Sequence, residues 1–260
     1  MRDTDFFSLQ RPRAMAHRGA SGTWPENTMA AFKAAHDLGI RYIELDVHMT
    51  RDRRVVVHHD PDLARTAGRP EKICELSYDE LAKADAGYGF VGEGGNHPFR
   101  GRSLKVPMLF EVLAAFPDTY FVIEIKQTAP SLVEPMLEVV DKTGMRRRVL
   151  VASEHQQPLD EIRALAPAIP TNFSSREVGS FFQALVSRMA GYVPPGDALQ
   201  IPIEYEKFTL VMPESVAAAH QVGVEMHVWT VNDEAEMRGL LALGVDGIIS
   251  DFPDRLLKLI

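Results

Sequence analysis

The six residues MTRDRR, 49–54, constrain this 260-residue chain more than any other stretch. They separate two segments that both read as strands, 41–47 and 54–58. Parallel neighbours need a crossover of about a dozen residues. MTRDRR is too short for one, so ELDVHMT and RVVVHHD must pair antiparallel, as a hairpin. Further strand-like segments lie at 14–17, 120–125, 148–152, 169–172, 198–201, 224–229 and 247–250. Helical periodicity falls near 28–38, 77–84, 108–116, 131–143, 158–166, 175–189, 213–222 and 233–243. Setting 54–58 aside as the returning arm of the hairpin leaves eight strands, most of them followed by a helix.

That count and length fit one β/α domain over residues 1–260. The expected fold is α/β, a (β/α)8 TIM barrel. The hairpin 41–58 runs out of its C-terminal mouth, and the long segment 60–107 follows over that mouth. This segment holds one short helix and then GYGFVGEGGNHPFRGRSL, rich in turn residues. Segments this long without regular structure are usually functional or mobile.

Composition narrows the partners. The net charge is −8, and the one short basic run is Arg146-Arg147-Arg148 beside a hydrophobic strand. Neither favours nucleic acid. Cys74 is the only cysteine, which excludes an internal disulfide and a cysteine-based zinc site. No apolar run reaches the roughly 18 residues of a transmembrane segment. MRDTDFFSLQRPR lacks a signal-peptide core, so a soluble, cytoplasmic chain is expected. The sequence carries no signal for oligomeric state.

Chemistry concentrates on the second strand, YIELDVH. Alternation puts Tyr42, Glu44, Asp46 and His48 on one face and Ile43, Leu45 and Val47 on the other. If the apolar face packs on helices, Glu44 and Asp46 point into the barrel, near the end where barrel active sites lie. FVIEIK repeats the pattern, with Val122, Glu124 and Lys126 inward. Buried ion pairs are one account of these charges. A bound cation is the other, and three carboxylates without cysteine suit Mg²⁺ or Ca²⁺ better than zinc. A divalent ion would leave one of the three negative charges uncompensated. Arg18 and Lys126 then tip the site to a single positive charge, which suits a phosphodiester monoanion.

His17 follows the first strand and His59 ends the hairpin, so a base and an acid could share the mouth. His58 reads as a supporting or surface residue, and His48 faces the cavity or the hairpin. Glu26 reads as support for the first loop, where Asn27 or Thr28 caps the helix. In EMHVWTVN, His227 and Trp229 share a face, and Trp229 would offer an aromatic wall at the mouth. Val178, Phe181, Phe182, Leu185, Val186 and Met189 form a helical stripe. Such a stripe covers barrel strands or, if exposed, faces lipid.

Together the pieces resemble the glycerophosphodiester phosphodiesterase family: HRG at 17–19, PENT at 25–28, ELDV at 44–47, VVHHD at 56–60, IEIK at 123–126, HVWTVND at 227–233 and GVDGIISDFPD at 244–254. The ordered set spans nearly the whole chain. The resemblance implies a barrel of the phospholipase C-like phosphodiesterase kind. It also implies hydrolysis of glycerophosphodiesters to an alcohol and glycerol 3-phosphate, with one divalent cation. By the match His17 and His59 are the acid/base pair, and Glu44, Asp46 and Glu124 are the metal ligands. Arg18 and Lys126 hold the phosphate, and Trp229 lines the glycerol side. Segment 60–107, with DAGYGF and PFRG, departs from the general pattern. It looks like a bacterial cytoplasmic-type subgroup with relatives acting on lysophospholipids. A lysophospholipase D is therefore the alternative, and a non-catalytic phosphate-binding barrel the remote one.

Overall fold

A computed structural model describes residues 4–260. Its strands are β1 (Arg13–His17), β2 (Tyr42–Met49), β3 (Val55–Val57), β4 (Tyr120–Ile125), β5 (Val149–Ala152), β6 (Ala198–Ile201), β7 (Glu204–Tyr205), β8 (Phe208–Thr209), β9 (Glu225–Val228) and β10 (Gly247–Ser250). Seven run parallel in the curled order β5-β4-β2-β1-β10-β9-β6. Thr171 and Asn172 bridge the two edges, pairing with Val151 on one side and Ala198 on the other. The expected strand 169–172 therefore contributes only single-residue bridges. Pro170 has no N–H for a ladder, although its carbonyl accepts the Val151 amide at 2.9 Å.

The hairpin forms as the MTRDRR argument requires. β3 lies antiparallel on β2, with Val47 opposite Val57. Arg53 turns the chain with φ of 60°, and Thr50 Oγ1 donates to Asp52 at 2.7 Å inside the turn.

Alternation along β2 separates two environments. Ile43, Leu45 and Val47 join the large core between strands and helices, with Phe32, Ile123 and Val151. Tyr42 belongs to a smaller cluster inside the barrel, with Met15, Tyr120, Val122 and Leu150. Phe6 closes that cluster. It packs edge-on against Tyr42, whose hydroxyl donates to the Phe6 carbonyl at 2.7 Å. The apolar plug fills one end of the barrel, and the next inward residues on β1, β2 and β4 toward the mouth are His17, Glu44 and Glu124.

The first loop is set by its residues. Thr28 caps the helix Met29–Asp37, its Oγ1 accepting from the Ala31 amide at 3.2 Å. Gly19 has φ of 84°, and a Cβ there would lie 2.6 Å from the Ala31 carbonyl carbon. Segment 60–107 is more ordered than its composition suggests. It contains helices Ala64–Ala67 and Tyr78–Leu81, the second with a Ser77/Glu80 capping box. It also has a small core of its own in which Val56 meets Leu63, Ile73, Leu81 and Val106. Phe99 packs on Trp24 of the first loop, ring centres 5.1 Å apart.

Gly19→Val combines a left-handed backbone with a clash against main chain, at a cost of about 2–3 kcal/mol. A melt followed by circular dichroism should show Tm lowered by about 5 °C or more.

Candidate active site

Parallel register assembles the site. His17 at the end of β1 lies opposite Glu44 on β2. One pleat further along β2, Asp46 lies opposite Glu124 on β4. Each of Glu44, Asp46 and Glu124 offers an oxygen, and the three oxygens lie within 4.8 Å of one another. Glu44 and Asp46 are buried.

Two cations flank the cluster. Arg18 Nε lies 3.1 Å from Asp46 Oδ2, and Lys126 Nζ lies 2.7 Å from Glu124 and 3.3 Å from Asp46 Oδ1. The Arg18 backbone N–H donates to Glu44 Oε2 at 3.0 Å. Burial, then repulsion from Asp46, pushes the Glu44 carboxyl up to about 8. Burial acts on Asp46 in the same direction, but Arg18 and Lys126 outweigh it and hold that carboxyl below its ordinary value. Glu44 Oε1 is buried and accepts no hydrogen bond, whereas Asp46 Oδ1 faces the Lys126 ammonium at 3.3 Å. Orphaned carboxylate oxygens are costly in a protein interior. One such oxygen within a cluster of three carboxylates fits a hard divalent cation. Both accounts given by the sequence, ion pairs and cation ligands, are thus compatible with the same side chains.

The histidines share a device. His17 Nδ1 is 2.7 Å from Asp251, and His59 Nδ1 is 2.7 Å from Asp60. Burial raises the Asp251 and Asp60 carboxyls. Hydrogen bonds, from His17 to Asp251 and from Arg65 and His59 to Asp60, win and hold both at about 2. As anions these aspartates can only accept, so each Nδ1 donates and each Nε2 is left for other work. For His17, burial works against the protonated ring, while Asp251 and Glu44 raise its pKa above the ordinary value.

Several contributors escape a residue-by-residue reading. Asn27 is not the helix cap; its amide donates to Asp46 Oδ2 at 2.8 Å. Asn232 donates to Asp251 at 2.7 Å and fixes its second oxygen. Arg65 comes from segment 60–107 and bridges Asp60 to Glu26, which also pairs with Arg18 at 2.9 Å. Asp60, Asn232 and Asp251 all lie within the motifs quoted above, which was the available signal. His48 and His58 are both buried supports. His48 Nε2 contacts the His59 carbonyl at 3.0 Å, and His58 contacts Thr66 Oγ1 at 2.8 Å. His227 is buried deeper in the barrel against Glu225. Trp229 is about two-fifths exposed at the mouth.

One cleft of about 940 Å³ joins His17, Arg18, Glu44, His59, Glu124, Lys126 and Trp229. Asp46 lies beneath it, fully buried. A larger hollow of about 1460 Å³ lies beside the N-terminal segment, near Arg11, Glu225 and Asp246, and contains none of these groups.

The model of the glycerophosphoryl diester phosphodiesterase family matches residues 17–255. The chain belongs to that family. A glycerophosphodiester phosphodiesterase of Bacillus altitudinis is 33% identical over 257 residues, covering 95% of this chain and 97% of the relative. A mouse protein named lysophospholipase D is 28% identical, covering 94% and 84%. A phosphodiesterase of Oleispira antarctica, solved with the product sn-glycerol-3-phosphate, superposes with a TM-score of 0.79 at 25% identity, covering 95% and 96%. The family's curled parallel barrel is the fold described above, as expected from the resemblance. Among the described residues no helix is long and apolar enough to cross a membrane.

The crowded carboxylates generate a prediction. At pH 9, above the value of about 8 to which Glu44 is pushed, Glu44→Gln removes one of three crowded charges and should raise the Tm of chelator-treated protein by about 2 °C or more, an effect that should shrink at pH 6 where Glu44 is already protonated. Mg²⁺ or Ca²⁺ should raise the Tm of the wild type, and the same change should abolish that increase. Scanning fluorimetry with and without each ion reads both effects.

Proposed function

We propose that this protein hydrolyses glycerophosphodiesters to an alcohol and glycerol 3-phosphate. Its cleft would use a histidine acid/base pair and one divalent cation. One observation carries the reading: two imidazoles, each held by an aspartate through Nδ1, share a cleft with three clustered carboxylates and two cationic side chains. Family membership and the named relatives support the reaction class.

In this reading Glu44, Asp46 and Glu124 hold the ion, Mg²⁺ or Ca²⁺. When bound, the ion offsets charge that builds on the phosphate oxygens. Arg18 and Lys126 flank the phosphate and add a fixed positive field. Of His17 and His59, one removes the proton of the attacking hydroxyl through Nε2. The other protonates the departing alcohol. Asp251 and Asp60 keep both rings in the tautomer that leaves Nε2 available. Trp229 packs against the carbon skeleton of the glycerol. Either water or the glycerol 2-hydroxyl can be the nucleophile, and a substrate lacking that hydroxyl separates the two routes. The reading takes residues 1–260 as one catalytic domain acting in the cytoplasm on a small-molecule substrate.

With glycerophosphocholine as substrate, His17→Ala and His59→Ala should each lower kcat by about 10²–10⁴-fold. Their Tm values should stay within a few degrees of the wild type. Unchanged turnover by pure His17→Ala protein would overturn the assignment. Asp251→Asn turns an amide donor toward His17 Nδ1, which favours the wrong tautomer, and should lower kcat by about 10–100-fold, with little change in KM. Chelation should abolish turnover, and restoring Mg²⁺ or Ca²⁺ separately identifies the working ion.

A further inference from the structure

Arg65 does not line the cleft, and no barrel strand carries it. It belongs to the short helix Ala64–Ala67 in segment 60–107. Its guanidinium nevertheless grips two anions that touch the site. Nε donates to Asp60 Oδ2 at 2.7 Å, while Nη1 and Nη2 donate to Glu26 Oε2 and Oε1 at 2.6 and 2.8 Å. Each anion also holds a group of the cleft. Asp60 Oδ1 holds His59 Nδ1 at 2.7 Å, and Glu26 Oε1 accepts from Arg18 Nη1 at 2.9 Å. Arg18 Nε in turn lies 3.1 Å from Asp46. One side chain thus closes a chain of contacts that runs from an imidazole to the carboxylate cluster. Burial works against a charge on Glu26, and Arg65 and Arg18 outweigh it. An arginine fork is rigid and planar, so it fixes both carboxylates at once; the point charge of a lysine does not. Arg65 is itself fixed. Leu63 and Ala67 on either side are buried in the core of the segment, and Thr66 Oγ1 meets His58 Nε2 at 2.8 Å.

We infer that Arg65 is a positioning residue through which segment 60–107 sets both the His59 ring and the Arg18 guanidinium. The inference rests on the reaction proposed above and adds a residue to it. Two arms leave Arg65. The first runs through Asp60. With Oδ2 held by Arg65, that carboxylate cannot swing, and the His59 ring it holds through Oδ1 keeps one orientation. The second arm runs through Glu26. With Arg65 on both of its oxygens, Glu26 is an anchored acceptor, and the Arg18 fork is fixed between it and Asp46. Removing Arg65 leaves Asp60 and Glu26 each with one partner, and both side chains gain freedom. The stability at stake is small, because Arg65 is about half exposed and exposed ion pairs contribute little. The cost of losing it falls on the rate, which depends on the placement of His59 and Arg18.

Kinetics on the full chain test this, with glycerophosphocholine as substrate and Mg²⁺ or Ca²⁺ present. Arg65→Met should lower kcat about tenfold or more and raise KM about threefold or more, with Tm within a few degrees of the wild type. Arg65→Lys should stay about fivefold or more below the wild type in kcat/KM, since an ammonium holds one arm at most. Asp60→Asn cuts the first arm alone. Joined to Arg65→Met, it should lower kcat no more than about twofold beyond the larger single loss. Glu26→Gln cuts the second arm and should raise KM about threefold or more. An effect of charge alone would lower KM, because an anion is removed near the phosphate clamp. Arg65→Met constants within twofold of the wild type overturn the inference. So do losses that multiply in full in the double variant, or a KM lowered by Glu26→Gln. A large fall in Tm in both Arg65 variants overturns it in favour of a purely structural bridge. A crystal structure of Arg65→Met reads the geometry without turnover. The His59 ring and the Arg18 guanidinium should both be displaced, and finding both in place overturns the inference whatever the kinetics. Absence of wild-type turnover fails the reaction itself, and the crystal still decides whether Arg65 places the two groups.

Discussion

Three carboxylates on the inner faces of two adjacent strands set the terms for everything at the mouth of this barrel. An unpaired carboxylate in a protein interior costs several kcal/mol. Glu44, Asp46 and Glu124 sit close enough to repel one another as well. The surroundings answer that cost piece by piece. Asp46 receives the Asn27 amide and lies between the Arg18 and Lys126 cations. Glu44 receives the Arg18 main-chain N–H. That contact requires the chain to turn sharply after β1, which Arg18 and Gly19 achieve with positive φ values of 55° and 84°. The shape of the first loop thus follows from the need to place a donor over a carboxylate on the next strand. Glu44 Oε1 remains unanswered by protein. A divalent cation could answer it, as the grouping of three carboxylate oxygens within 4.8 Å of one another allows.

The two histidines at the cleft show how the same fold orients imidazole rings. His17 is backed by Asp251 after β10, and His59 by its own neighbour Asp60. Asp60 is in turn held by Arg65, whose guanidinium also grips Glu26 on the first loop. Isolated surface ion pairs contribute little. This one is a linked set, with Arg65 donating both terminal nitrogens to Glu26. Its consequence is positional. It ties the start of segment 60–107 to the loop carrying His17 and Arg18. The Trp24–Phe99 contact ties a later part of that segment to the same loop. The long insertion thereby braces the loops around the cleft from outside, and none of its own side chains lines it.

How much of this the sequence carried depends on the range of the interaction. Period-two alternation in YIELDVH and FVIEIK is local, and it correctly separated inward charge from outward apolar residues. The shortness of MTRDRR is local too, and it fixed the antiparallel hairpin. Register between strands is not local. That Asp46 would face Glu124, or His17 face Glu44, follows from pairing over many residues that no single segment encodes. Asn27 reads as a helix cap because Asn favours that position; its real partner is a carboxylate 19 residues away. The strand at 169–172 shrank to bridges because Pro170 interrupts the ladder. The β7–β8 hairpin in IEYEKFTL gave no turn signal, since Glu206 with φ of 53° stands where Gly or Asn is usual.

The distribution of these features over the fold separates a charged floor from apolar walls. Every charged group at the cleft floor stands on a barrel strand or on a loop whose backbone is tied to one. Moving any of them disturbs a carboxylate that is already crowded. The walls beyond are of another kind. Val178, Phe182, Leu185, Val186 and Phe208 carry no hydrogen-bonding side-chain group, and they stand on the helix Ser175–Val186 and the β7–β8 hairpin. They are coupled to the charged cluster through packing alone. A substitution there changes the apolar area of the cleft and leaves the hydrogen bonds and ion pairs of the charged cluster in place. Charge balance on β2 and β4 constrains the floor of the cleft, and the helix and hairpin determine how much apolar wall stands beside it.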